Sequence, residues 1–180
     1  MTMQKVILRP PRKEDGAAIY QLVKSSPPLD LNSCYAYLLQ TLHFSETSIV
    51  AEHNGAIVAY VSAYTPPQQP NTLFVWQVVT ASAYRGTGMA ATLISGLLAR
   101  SACRAVRYID TTVSPSNIAS ARVFRKLSER LGCRINTSIL FAASDFSGAG
   151  HEDEVLFRIG PFAPANNQFI KEPSHAITNI

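Results

Sequence analysis

A short glycine-containing turn between a predicted strand and a predicted helix constrains the fold of this chain more than any other feature. The apolar and β-branched residues at 72–80 predict a strand, and apolar residues at helical spacing after Ala90 predict a helix. The turn reads Arg85-Gly86-Thr87-Gly88-Met89-Ala90. Glycines let backbone N–H groups face a ligand, a helix N-terminus adds unpaired donors, and Arg85 adds a fixed positive charge. We therefore expect this turn to bind a diphosphate.

Two common phosphate-binding motifs do not fit the same turn. A P-loop would need a Gly-Lys-Ser/Thr sequence, and none follows Gly88. A dinucleotide-binding turn of the Rossmann type would need a third glycine and an acidic residue closing the next strand in the expected setting, and the chain has neither. Because a Gly-x-Gly pair alone often only turns the chain, the ligand has to be identified from the surrounding elements.

Hydrophobic periodicity and turn residues predict an α/β (α+β) domain with a mixed central sheet flanked by helices. The predicted element order is β-α-α-β-β-β-α-β-α-β-β. Strands are expected at residues 6–8, 48–52, 56–64, 72–80, 106–113, 135–142 and 154–159, and helices around residues 17–23, 35–42, 90–98 and 118–131. The strand-helix-strand unit in the middle predicts a parallel pair, and Asn54-Gly55 predicts a hairpin. Residues 1–165 are expected to form one domain, followed by a tail at 166–180.

Composition excludes a disordered chain and gives no sign of a membrane or secreted protein. Apolar residues make up 47% of the 180 residues and charged residues 16%. No apolar run reaches the roughly 20 residues that cross a bilayer, and the run at 6–8 is too short for a secretory signal. We therefore expect a cytoplasmic protein. Cys34, Cys103 and Cys133 are odd in number and lack CxxC spacing, so we expect neither disulfides nor a bound metal.

Positive charge is concentrated in one half of the chain. Nine of the 16 Lys and Arg residues, but only two acidic residues, lie between Arg85 and Arg134. This distribution favours an anionic partner. The basic helix with Arg122, Arg125 and Lys126 leaves open a nucleic-acid-binding module. We prefer a solvated face near a bound phosphate, because a nucleic-acid motif with interleaved aromatic residues is absent.

The turn and the elements after it resemble a known family. Arg85-x-x-Gly88-x-Ala90 follows a strand, and the next strand leads through Ser114-Pro115-Ser116-Asn117 into a helix that carries Phe124. This arrangement resembles the GCN5-related N-acetyltransferases (GNAT). The resemblance implies the GNAT fold, acetyl-CoA as cosubstrate and no metal. It implies cofactor contacts from Val78, Val79, Arg85, Gly86, Thr87, Gly88, Met89, Ala90, Asn117, Ser120 and Phe124.

The resemblance implies a role for each of two positions at or on that helix. The position of Asn117 reaches the pantetheine arm in this family. In many members a tyrosine seven residues later protonates the leaving thiolate. That position is Phe124 here, which has no hydroxyl group.

Other strings narrow the resemblance to one group of GNAT enzymes, the L-2,4-diaminobutyrate acetyltransferases. They are Arg9-Pro10-Pro11, Pro27-Pro28-Leu29-Asp30-Leu31-Asn32-Ser33, Tyr35-Ala36-Tyr37, Thr72-Leu73-Phe74-Val75-Trp76-Gln77-Val78 and His151-Glu152-Asp153-Glu154. The resemblance implies acetylation of the γ-amine of L-2,4-diaminobutyrate, a step of ectoine biosynthesis.

Three residues are candidates for binding a diamine. Asp30 either pairs with a substrate ammonium, as the resemblance implies, or caps the second helix, and the two interpretations weigh about equally. Trp76 is the only tryptophan, and strand alternation places it with Phe74 and Val78 on one face. A tryptophan face attracts an ammonium, so we expect Trp76 to form a wall of the substrate site. Tyr35 is expected to face the same pocket, although amphipathic packing explains it somewhat better.

Glu154, His151 and Val78 are the candidates for catalysis. An alkylamine has a pKa near 10, so a group in the site must accept its proton around pH 7. We expect Glu154, with His151, to accept that proton directly or through a water. A backbone N–H near Val78 is expected to stabilise the oxyanion that forms when the amine attacks the thioester directly.

The turn and the elements around it are also compatible with two other functions. A GNAT enzyme could acetylate another small amine, an amino acid or a protein N-terminus, and a cofactor cradle alone is also compatible with a non-catalytic CoA-binding module. Apolar surface and antiparallel outer strands would allow a homodimer, and members of the family that the chain resembles often form one, so we expect a homodimer.

Overall fold

The computed structural model describes residues 5–147 and 150–163. The strands are β1 (Ile7–Arg9), β2 (Ile49–His53), β3 (Ala56–Tyr64), β4 (Thr72–Thr80), β5 (Tyr108–Val113), β6 (Ile135–Phe141) and β7 (Glu154–Ile159). The helices are α1 (Gly16–Lys24), α2 (Cys34–His43), α3 (Met89–Leu98) and α4 (Ile118–Leu131). The α/β class and the predicted order of strands and helices are confirmed. The tail at 166–180 lies outside the described residues, and no described helix is both long and apolar enough to cross a membrane.

One mixed sheet contains all seven strands, in the order β1-β2-β3-β4-β5-β7-β6. Only β4 and β5 run parallel, and the other neighbouring pairs are antiparallel. The hairpin between β2 and β3 turns through Asn54 and Gly55, which both have positive φ, as the Asn-Gly pair predicts. The strand predicted at residues 106–113 begins at Tyr108 in the structure. Val106 belongs to the preceding turn, where its N–H donates to the carbonyl of Cys103.

The parallel pair separates partway along its length. Its register runs from Thr72 opposite Tyr108 to Phe74 opposite Asp110, whereas β4 continues to Thr80. Arg158 on β7 holds the closed end, since it donates to Asp110 at 3.1 Å and to the Thr72 hydroxyl at 3.4 Å. Burial raises the pKa of Asp110, and Arg158 opposes that shift. The two strands therefore stay together at one end and diverge at the other.

A β-bulge at Trp76 changes the alternation of β4. Ser62 pairs with Gln77 while the next residue on β3, Ala63, pairs with Val75, so Trp76 is the extra residue. The prediction that Phe74, Trp76 and Val78 share one face is therefore wrong. Val78 packs with Val75 on the core beneath α3, whereas Gln77 contacts the side carrying α2.

Two apolar clusters cover the two faces of the sheet. One contains the inward residues of α3 and α4, among them Leu93, Leu97 and Leu127. The other packs Ile19 of α1 and Tyr37 of α2 against the opposite face of β2, β3 and β4. Side chains that alternate along β2 contact different clusters, because neighbouring residues of a strand point to opposite faces.

Candidate active site

The turn before α3 has the backbone geometry of an anion cradle. Gly86 and Gly88 have φ values of 79° and 82°, which L side chains adopt only with strain. A Cβ added at either glycine would meet no atom within 4 Å, so the space beside the turn is open. The side chain of Met89 is buried in the core, which leaves its backbone to the turn. The first N–H groups of α3 have no partners within the helix and carry its positive dipole end.

The side chains of Arg85 and Thr87 are held near the turn by hydrogen bonds to backbone carbonyls of the residues just before it. Arg85 Nε donates to the carbonyl of Thr80 at 3.1 Å, and the Thr87 hydroxyl donates to the carbonyl of Tyr84 at 2.7 Å. The Arg85 contact uses only Nε. Its terminal nitrogens remain as further donors beside the cradle.

A cleft opens where β4 and β5 diverge. Two adjoining cavities of about 170 and 200 Å³ form it, and they share Leu29, Val78, Asn117, Ser120 and Phe124. The first is lined in addition by Asp30, Asn32, Trp76, Gln77, Thr111, Thr112, Ser114 and Glu154. The second reaches Arg85 and Ala90 at the cradle. The cleft therefore runs from the turn predicted to bind a diphosphate to the residues predicted to bind a diamine.

The first turn of α4 forms one wall of the cleft. The Asn117 side chain caps the helix by accepting the N–H of Ser120 at 3.1 Å. Ser120 and Phe124 lie one helical turn apart and line both cavities. Val79 is buried among residues of α1 and α2 and does not line either cavity, so only its backbone is available to a cofactor.

Asp30 and Trp76 lie in the cleft, as the sequence predicts. The hydroxyl of Ser33, not the Asp30 carboxylate, caps α2 by accepting the N–H of Ala36 at 3.2 Å. The capping interpretation of Asp30 therefore does not hold, and its exposed carboxylate lines the cleft. Trp76 is 48% exposed and lines the same cavity, so it is not a core tryptophan.

Glu154 opens β7 on the other side of the cleft. Its Oε1 accepts the Ser114 hydroxyl at 3.3 Å, and the carboxylate is half-buried. The nearby Glu152 is exposed and accepts the backbone N–H and the hydroxyl of Ser116. The two glutamates therefore differ in surroundings, and only Glu154 lines the cleft.

Among the residues predicted to bind the diamine or take part in catalysis, His151 and Tyr35 lie outside the cleft lining. His151 is exposed, donates from Nδ1 to the carbonyl of Glu152 at 2.7 Å and stacks on Phe146. Tyr35 is 68% exposed on the outer face of α2. The expectation that Tyr35 faces the pocket is therefore wrong, because the inward tyrosine of this helix is Tyr37, two residues further along.

The sequence did not identify several residues that shape the cleft. Gln77 donates from Nε2 to the backbone carbonyl of Asp30 at 2.8 Å and accepts the Tyr37 hydroxyl at 3.0 Å. Ser114, recognised only as part of a turn, contacts Glu154. A polar Gln77 inside the apolar run of β4 was the one available signal. The described residues contain no group of three or more His, Cys, Asp or Glu side chains that could hold a metal ion.

Comparisons with known proteins agree with this geometry. The profile of the Acetyltransferase (GNAT) family matches residues 16–128. The L-2,4-diaminobutyric acid acetyltransferase of Bordetella parapertussis is 49% identical over 156 residues, which cover 86% of this chain and 84% of that protein. That of Virgibacillus pantothenticus is 44% identical, with 88% and 99% covered.

A solved structure extends the likeness to three dimensions. It is the diaminobutyrate acetyltransferase of Paenibacillus lautus in complex with its substrate L-2,4-diaminobutyric acid and coenzyme A. It superimposes with a TM-score of 0.85 at 43% identity, covering 89% of this chain and 97% of that one. The chain therefore belongs to the GNAT acetyltransferase family and, within it, to the L-2,4-diaminobutyric acid acetyltransferases.

Proposed function

We propose that this protein transfers the acetyl group of acetyl-CoA to the γ-amine of L-2,4-diaminobutyrate. The observation that carries the proposal is that Asp30, Trp76 and Glu154 line one cleft with Val78 and Asn117. These residues come from four separate segments, because Trp76 and Val78 share β4, and the divergence of β4 from β5 brings them together. The cleft also reaches the phosphate-binding turn, so a thioester and an amine can meet in it.

The residues around the turn fit acetyl-CoA. The open space beside Gly86 and Gly88, the N-terminus of α3 and Arg85 suit the diphosphate. By family resemblance Asn117 contacts the pantetheine arm. Acetyl-CoA, when bound, supplies an electrophilic thioester carbonyl.

Opposite charge and an aromatic face suit the diamine. The exposed carboxylate of Asp30 attracts one ammonium group of the substrate, and the half-exposed ring of Trp76 offers its face to the same cation. A cation–π contact of this kind contributes about 0.5–2 kcal/mol, depending on how far the pair is desolvated. Together the two side chains orient the diamine and leave its other amine directed into the cleft.

Glu154 accepts the proton of the attacking amine in this proposal, and the Ser114 hydroxyl orients its carboxylate. The backbone N–H of Val78, at the divergence of the strands, stabilises the developing oxyanion, and such a donor contributes about 3 kcal/mol to lowering the barrier. Phe124 has no hydroxyl, so its side chain does not protonate the leaving thiolate. His151 would act only after a movement that brings its ring from Phe146 into the cleft.

Steady-state turnover with acetyl-CoA and a panel of acceptors tests the proposal. We expect L-2,4-diaminobutyrate to be acetylated with a higher kcat/KM than ornithine, lysine or a peptide with a free N-terminus, and mass spectrometry and NMR to assign the acetyl group to Nγ. Absence of turnover with diaminobutyrate by folded protein would contradict the proposal. A faster reaction with another acceptor would leave the GNAT chemistry in place but overturn the substrate.

The cellular role follows from the same resemblance. N-acetylated diaminobutyrate is the precursor of ectoine, so the proposal extends to ectoine synthesis during osmotic stress, in the cytoplasm. Growth at raised osmolarity after deletion of the gene tests this part, with loss of ectoine as the expected result and unchanged ectoine as the contrary one.

We also propose that the protein forms a homodimer through β6. This strand is last in the sheet order, and Ile139, Leu140 and Phe141 are 59%, 41% and 48% exposed. An exposed apolar edge strand pairs readily with a copy of itself. Light scattering after size exclusion should give a dimer for the wild type and a monomer for Ile139→Lys, and a monomeric wild type would overturn this proposal.

A further inference from the structure

The loop that carries Asp30 is tied to β4 by hydrogen bonds from buried or half-buried polar groups. Gln77 Nε2 donates to the Asp30 carbonyl at 2.8 Å, and the Tyr37 hydroxyl donates to Gln77 Oε1 at 3.0 Å. The same hydroxyl accepts the backbone N–H of Asn32 at 3.3 Å. These three bonds hold the loop at two points, on either side of Leu31.

The bulge in β4 makes this connection geometrically available. Trp76 is the extra residue of the bulge, and Gln77 then contacts the side of the sheet that carries α2. Both Trp76 and Gln77 line the cleft, and Gln77 in addition bonds the loop that bears Asp30. The position of the Asp30 backbone is consequently set from the strand that also carries Trp76.

The buried position of Tyr37 requires its hydroxyl to form hydrogen bonds within the protein. Its side chain is 0% exposed and packs among Ile19, Val23 and Val79, where an unbonded hydroxyl would be costly. The hydroxyl has both a donor and an acceptor partner in this place, so its geometry is well determined. Packing alone would be served equally well by a phenylalanine.

We propose that Tyr37 and Gln77 are positioning residues for the diamine substrate. They fix the loop, so that the Asp30 carboxylate and the Trp76 ring lie at a fixed distance from each other. This arrangement favours a substrate with one particular distance between its bound ammonium group and its reacting amine. The assignment of the diamine rests on the proposed function. Neither residue is required to touch the reacting atoms in this role.

The variants Tyr37→Phe and Gln77→Met remove the hydrogen bonds and keep the approximate volume of each side chain. We expect the KM for diaminobutyrate to rise about tenfold in each, the equivalent of one lost hydrogen bond to a positioned group. The KM for acetyl-CoA should stay within about twofold, because none of the hydrogen bonds removed involves the cradle at Arg85–Ala90. The double variant should be little worse than either single one, because both belong to one network.

Tyr60→Phe is the matched control. Tyr60 is also 0% exposed, and its hydroxyl donates to the side chain of Gln40 at 3.1 Å, but this hydrogen bond does not involve the loop and neither residue lines the cleft. This variant should lose a comparable amount of stability and keep the wild-type KM for both substrates. Equal KM changes in Tyr60→Phe and Tyr37→Phe, or no change in Tyr37→Phe, would overturn the inference.

Hydrogen exchange on the protein without substrate gives a readout that does not depend on turnover. Amides in residues 29–34 should exchange faster in Tyr37→Phe and Gln77→Met than in the wild type and in Tyr60→Phe. Unchanged exchange would overturn the positioning role. A wild-type protein that does not acetylate diaminobutyrate would overturn the proposed function, and exchange would still decide whether these two residues hold the loop.

Discussion

Glu154 carries the largest part of the proposed chemistry, because a protonated amine cannot attack a thioester. Its carboxylate lines the cleft opposite Asp30 and receives a hydrogen bond from Ser114. In the proposed mechanism the two acids have different roles: Asp30 binds the ammonium that stays charged, and Glu154 accepts the proton from the amine that reacts.

The variant Glu154→Gln should therefore lose activity in a pH-dependent way. Near pH 7 we expect kcat to fall by about a hundredfold or more, the usual effect of removing a general base. The deficit should shrink as the pH approaches about 10, where the amine loses its proton to solvent. A pH–rate profile measures this ratio.

Glu152→Gln is the control for that profile, since Glu152 is exposed and bonded to Ser116 outside the cleft lining. It should keep the wild-type profile. Full kcat in Glu154→Gln at every pH would exclude Glu154 as the base.

Individual site residues differed in how well the sequence could predict them. Asp30, Trp76 and Glu154 could be predicted as cleft residues because the family resemblance assigns them to the substrate site. Each also lies beside a recognisable feature: a proline-stiffened loop, a strand before the cradle and the start of the last strand. Tyr35 was misassigned because α2 has tyrosines at 35 and 37, and residue type alone does not decide which one faces inward. His151 is adjacent to Glu154 in sequence, but its ring stacks on Phe146 instead.

At the scale of single elements, the turn before α3 is the feature on which the proposed binding of acetyl-CoA depends. Gly88 is the N-cap of α3 and has a φ of 82°, and Gly55 in the hairpin has a similar φ of 76° with equally open space around it. The two glycines therefore share a left-handed backbone conformation, in which any other residue would be strained, but they lie at different places in the fold. Substituting each glycine in turn therefore separates the effect of backbone strain on stability from the effect on acetyl-CoA binding.

Gly88→Ala and Gly55→Ala should each lower the free energy of unfolding by about 1 kcal/mol, the cost of left-handed backbone for a residue with a Cβ. Only Gly88→Ala should also raise the KM for acetyl-CoA, by about fivefold or more, because its methyl group intrudes where the diphosphate is proposed to lie. Urea unfolding and initial rates measure the two effects. Equal KM values for the two variants would contradict a phosphate-binding role of this turn.

The bulge in β4 is the element that the sequence could not predict. Alternation along 72–80 was consistent with an unbroken strand, and no glycine or proline marks Trp76 as an extra residue. The bulge becomes visible only through its pairing with β3, which is a contact between residues far apart in sequence. The strands and helices themselves depend on local periodicity and capping, which explains why their order was predictable.

At the scale of the whole molecule, an ion-pair network joins the N-terminal strand to the rest of the sheet. Arg9 on β1 contacts Asp15 at 2.6 Å and Glu52 on β2 at 2.7 Å. Burial alone would raise the pKa of Asp15, but hydrogen bonds from the Arg9 side chain and from the N–H of Arg12 outweigh it and hold the pKa below its usual value. The folded state thus stabilises the ionised form of the Asp15 carboxylate.

Asp15→Asn should lower the free energy of unfolding by about 1.5–3 kcal/mol at pH 7, as expected for hydrogen bonds to a charged group. A lowered folded-state pKa contributes stability above the unfolded value of about 3.9 and loses it as the pH falls through the folded value. The difference between variant and wild type should therefore shrink below about pH 4. Urea unfolding at several pH values measures this difference in the free energy of unfolding, and Glu14→Gln, at an exposed position, is the control. A difference that is constant with pH would contradict a lowered pKa of Asp15 in the folded protein.

The cleft itself is a property of the whole sheet. A parallel β4–β5 pair was predictable from the strand-helix-strand order, but the point where the pair separates depends on the tie at Asp110 and Arg158 and on the packing of α4. This separation is what brings Asp30, Glu154 and the cradle to one place.

A crystal structure with CoA and L-2,4-diaminobutyrate bound together tests that juxtaposition most directly. We expect the sulfur of CoA beside Val78 where β4 leaves β5, one amine within hydrogen-bond distance of Glu154, and the other paired with Asp30. A diamine bound away from both carboxylates, or a diphosphate bound away from the turn at 85–90, would contradict the proposed site.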